Sequence, residues 1–72
     1  MYSFYVLEMQ TNEGGGSVLS FGYNDEKDAM DKFLDTWKVA MRSDVLVHTV
    51  MIVTNRGTNV RPPVTYTHSV EG

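Results

Sequence analysis

The sequence predicts an α+β fold in the order ββαββ, a four-stranded antiparallel sheet of spatial order 2-1-3-4 with one amphipathic helix on one face. Three observations predict it. A helical period runs from about Asp25 to Ser43, runs of aromatic and β-branched residues flank it, and turn residues divide each flank into two strands.

Tyr2 to Gln10 is the first strand, rich in aromatic and aliphatic residues and followed by Thr11-Asn12-Glu13-Gly14-Gly15-Gly16-Ser17, which is expected to form a flexible turn. Val18 to Tyr23 returns as the second strand. Leu19, Phe21 and Tyr23 share one of its sides and Val18, Ser20 and Gly22 the other.

Asn24 or Asp25 can cap the helix, and Glu26, Asp28 and Asp31 follow where the helix dipole favours negative charge. Ala29, Met30, Phe33, Leu34, Trp37, Ala40 and Met41 recur at three- and four-residue spacing and predict the buried stripe.

Val45 to Thr54 is almost continuously apolar and reads as a strand buried on both faces. Asn55-Arg56-Gly57 supplies a tight turn, and Asn59 to His68 forms the last strand. Pro62-Pro63 cannot donate ladder hydrogen bonds, which restricts that strand to a sheet edge. A right-handed crossover from strand two over strand one to strand three then lays the helix on one face and gives the 2-1-3-4 order.

The chain has 72 residues, room for one domain over residues 1–72, and no cysteine for a disulfide or thiolate metal site. Its core must suffice alone or be extended by self-association. The start of the chain lacks a basic leader with a long apolar core, and no segment approaches the ~20 apolar residues of a membrane span. A cytoplasmic protein without membrane association is expected.

Catalytic chemistry finds no signature. His48 and His68 have no ligand-type residue at metal-binding spacing, the triglycine lacks the lysine and hydroxyl residue of a phosphate loop, and no serine or threonine is coupled to a base and an acid. A non-enzymatic protein without metal or cofactor is the expectation. Alternation places His48 with Leu46, Val50 and Ile52, partly buried.

Two surfaces remain as interaction candidates. Asp28, Asp31 and Asp35 can meet a basic partner or simply form the solvated side of the helix, with Lys27 and Lys32 interleaved. The second surface is one side of the sheet. A single helix covers one face, yet strands one and three are apolar on both. Tyr5, Leu7, Met9, Val45, Val47 and Met51 are the expected interface residues, and a two-fold dimer packed sheet on sheet is the simplest cover. An alternative is a small nucleic-acid-associated protein using Lys38, Arg42, Arg56 and Arg61, against which the net charge of −3 weighs.

The run Tyr23-Asn24-Asp25-Glu26-Lys27-Asp28-Ala29-Met30-Asp31-Lys32-Phe33, then Ala40-Met41, then Val50-Met51-Ile52-Val53-Thr54-Asn55-Arg56-Gly57, resembles a group of short single-domain proteins encoded by bacterial phages and mobile elements. The resemblance implies an accessory protein, with inhibition of a host defence system among its roles. It carries no catalytic residue.

Overall fold

The computed structural model describes residues 1–68 and has β1 (Phe4–Asn12), β2 (Gly15–Tyr23), α1 (Glu26–Arg42), β3 (Val47–Thr54) and β4 (Val64–Thr67). All neighbouring strands are antiparallel and their order is β2-β1-β3-β4, as the connections require. β1 is therefore central. Its partners across the sheet are Phe21 and Ile52 at Val6, and Leu19 and Val50 at Glu8.

Residues opposite one another in an antiparallel pair share a face, so the even positions of β1 and β3 lie together under the helix. Val6, Val50 and Ile52 are fully buried there against Ala29, Phe33 and Ala40, with Phe4, Phe21, Tyr23, Trp37 and Val60 packed around them. The odd positions form the opposite face. From Val47 to Ile52 β3 shows the division, since His48, Val50 and Ile52 are buried while Val47, Thr49 and Met51 are half-buried; Val53, on the open side, is buried as well.

Asp25 caps α1, its side chain accepting a hydrogen bond from the Lys27 backbone N–H at 2.8 Å. The buried stripe differs from the predicted one. Leu34 and Met41 are 42% and 50% exposed, whereas Thr36 is buried. At 100° per residue, Leu34 stands about 100° from Phe33 and Thr36 only about 60°, so the stripe centred on Phe33 and Ala40 reaches Thr36 first. Thr36 tolerates burial because its hydroxyl donates to the Lys32 carbonyl at 2.8 Å.

The first hairpin is tighter than expected. Gly15 and Gly16 belong to β2, opposite Asn12 and Thr11, and only Glu13 and Gly14 join the strands. Gly15, at φ +145°, occupies backbone space that favours glycine. β3 begins at Val47 rather than Val45, because the β1 residue that would continue the register beyond Asn12 lies in this turn. The Val45 N–H instead meets the Ser43 hydroxyl at 3.2 Å.

Asn55-Arg56-Gly57 forms the second turn as predicted, with the Gly57 N–H donating to the Thr54 carbonyl and Gly57 at φ +84°. The last strand is shorter than Asn59–His68. Asn59 bridges Val53, but Val64–Thr67 pairs with β3 in a register two residues further on, so the chain bulges between them at Arg61-Pro62-Pro63. Prolines without N–H groups are expelled from the ladder. The bulge also carries the Arg61 guanidinium over the rings of Phe33 and Trp37, 5.1 and 5.0 Å from their centroids.

Phe33→Ala and Leu34→Ala separate the two descriptions of the helix. Truncating buried Phe33 is expected to cost about 3–5 kcal/mol, enough to unfold much of so small a domain, and truncating exposed Leu34 under about 0.5 kcal/mol. Urea unfolding followed by circular dichroism checks both.

Candidate functional site: the open face of the sheet

The face away from the helix is built from the odd residues of β1 and β3 and the even residues of β2. Across the strands, Gly22, Tyr5 and Val53 form one row, Ser20, Leu7 and Met51 the next, and Val18, Met9, Thr49 and Thr65 the third. Gly16, Thr11, Val47 and Thr67 complete it at the hairpin end. None of these residues is charged. Met9 is 38% and Val18 62% exposed, and Tyr5, Leu7, Val47 and Met51 are half-buried by their neighbours within the sheet.

Five of the six residues expected from the sequence thus stand on one surface. Val45 is half-buried and precedes the strand, for the register reason given above. Sequence reading passed over Val18, whose place beside Met9 follows once the hairpin register is known.

In the connection between β3 and β4, Val60 and Arg61 pack on the helix side, while exposed Asn59, opposite Val53, borders the open face at one corner. Tyr2 does cover one corner. Its ring lies against bare Gly22, where an added Cβ would come within 2.3 Å of it, and meets Tyr5 edge to face at 6.2 Å. Residues 69–72 lie outside the described residues.

Beneath the helix is a polar contact that the chain order conceals. Glu8 and His48, 40 positions apart, are diagonal neighbours on β1 and β3, and the His48 Nε2 and Glu8 Oε2 atoms are 2.5 Å apart. Both residues are buried. The Gln10 amide donates to the same oxygen at 3.3 Å, while among the described residues His48 Nδ1 is buried without a partner. Close by on β4, the Tyr66 hydroxyl accepts from Trp37 Nε1 at 2.6 Å and ties the sheet to the helix. His48 is more deeply buried than expected, and Glu8 was missed. Its signal was an acid in the alternation of Phe4 and Val6.

Asp28, Asp31 and Asp35 are exposed on the side of α1 opposite the buried stripe. Lys32 turns away from them, its Nζ lying 4.0 Å from the centroid of the Phe21 ring. Among the described residues none of the three aspartates has an ion-pair partner.

The four basic residues of the nucleic-acid reading do not converge. Lys38 and Arg42 lie towards the C-terminal end of α1, Arg56 lies in the turn at the other end of the sheet, and Arg61 is engaged with the Phe33 and Trp37 rings. Among the described residues no helix is long and apolar enough to cross a membrane. Comparison with protein-family models, curated proteins and solved structures finds no match.

Glu8→Leu or His48→Leu alone leaves a buried polar partner stranded, and each is expected to cost about 3 kcal/mol, whereas the double variant should cost well under the sum of the two. A double-mutant cycle by urea denaturation at neutral pH measures the coupling; additive losses would mean that the two side chains do not depend on each other.

Proposed function

We propose that this chain is a non-enzymatic protein-binding module that works in the cytoplasm and self-associates through the open face of its sheet. The observation that carries the reading is the composition of that face, apolar at its centre and, among the described residues of its strands, without a charged side chain. A surface of this kind on a chain with net charge −3 is unusual to leave in water, and a second copy is its simplest cover.

Charge distribution favours that occupant. Asp28, Asp31 and Asp35 lie on the far side of the helix, so two copies packed sheet to sheet bury none of them and hold these acidic surfaces apart. Strands of nine residues and an interstrand spacing near 4.8 Å give a face of roughly 500 Å². Two copies then bury roughly 1,000 Å², the lower limit for a specific interface, which predicts a reversible dimer.

The exposed aspartates Asp28, Asp31 and Asp35 are offered to a second, basic protein. With the resemblance to phage and mobile-element proteins, this supports an accessory protein that binds a host component, an inhibitor of host defence being the role we put forward.

Light scattering between roughly 10 and 200 µM should show a mass rising above one copy, and Leu7→Lys or Met9→Lys should make that rise clearly smaller than in the wild type with circular dichroism unchanged. A wild-type chain that remains monomeric throughout would remove the basis of the proposal. Charge reversal at Asp28, Asp31 and Asp35 together should weaken host-partner binding by at least ~10-fold while leaving self-association intact. The same affinity in titration calorimetry would exclude the acidic side of the helix.

A further inference from the structure

The two edges of the sheet are treated differently. β4 is four residues long and is preceded by Pro62-Pro63, a short strand with a proline guard of the kind that blunts an edge. β2 is nine residues long, pairs with β1 in an unbroken register, and contains no charge, no proline and no bulge. Among the described residues no strand pairs with its outer side, and Gly15 to Ser20 are exposed. Along such a strand, alternate backbone N–H and C=O groups point outward and unpaired, a template for another strand.

We infer that the β2 edge pairs with β2 of a second copy, antiparallel about a two-fold axis at Leu19, joining two sheets into one of eight strands. The sequence of β2 is complementary to itself in that arrangement. The register that pairs all nine residues puts Leu19 opposite Leu19, Phe21 opposite Ser17, Tyr23 opposite Gly15, and Val18 opposite Ser20. Every larger side chain away from the axis meets a small one, and aromatic rings lie across from serine or glycine, where they have room to pack. No like charges are brought together. Leu19, 46% exposed beside the helix layer, gains a partner at the axis.

This contact uses backbone groups and a helix-side residue, so it stands independently of the open face. The chain has no cysteine, which makes the register directly readable. Under mild oxidation Leu19→Cys should form a disulfide-linked dimer, because residues opposed across an antiparallel pair lie about 4.5–5.5 Å apart. Ser17→Cys, placed opposite Phe21, should not. Leu19→Lys, at an exposed position where the fold should persist, should reduce edge association by at least ~10-fold through like-charge opposition at the axis. Hydrogen exchange should slow at alternate β2 amides as concentration rises. Failure of Leu19→Cys to cross-link, with β2 amides exchanging equally fast in dilute and concentrated samples, overturns the inference, whatever light scattering shows. Failure of the open-face reading is seen separately, as a Leu7→Lys chain that associates as the wild type does.

Discussion

One helix of 17 residues has to supply the whole cover for a four-stranded sheet, and it can cover only one side. Much of the molecule follows from that constraint. Phe33 and Ala40 centre the buried stripe over β1 and β3, and the even residues of those strands are the ones removed from water. The rest of the apolar side chains must be placed on the other face. In a chain this short, burying a second layer within the same molecule would need an element that the described residues do not contain.

The helix-covered side is not purely apolar. Glu8 Oε2 and His48 Nε2 pair there, and Trp37 and Tyr66 make a second polar tie between the layers. Polar contacts inside a small core contribute less to stability than hydrocarbon of the same volume, but they are demanding about register. A slip of β1 by one residue would carry Glu8 to the open side and leave His48 buried without its acid. The pair therefore penalises the misregistered sheets that a run such as Val47–Thr54, apolar on both sides, would otherwise tolerate.

The open surface and the open edge belong to the same design. Asp28, Asp31 and Asp35 stand on the outer side of α1, the prolines guard β4, and the longest uncharged backbone edge adjoins the uncharged face through Val18. Edge pairing would double the area of continuous apolar face. A marginal sheet-to-sheet contact would then gain a second, geometrically independent source of affinity, which is how weak interfaces combine into stable assemblies.

The local signals in the sequence were sufficient for the helix limits, the Asn55-Arg56-Gly57 turn, the identity of the four strands and their 2-1-3-4 order, because periodicity, caps and chain connectivity are properties of neighbours along the chain. Alternation also grouped Tyr5, Leu7 and Met9 on one side of β1. Which side the helix would cover could not be read, since β1 and β3 are apolar on both. Nor could the pairing of Glu8 with His48, the burial of Thr36 in place of Leu34, or the escape of Pro62-Pro63 that brings Arg61 onto the Phe33 and Trp37 rings. Each depends on interstrand register or helix rotation, and those are fixed only when distant segments pack. The same packing decided that the uncharged side of the sheet would be the one left facing water.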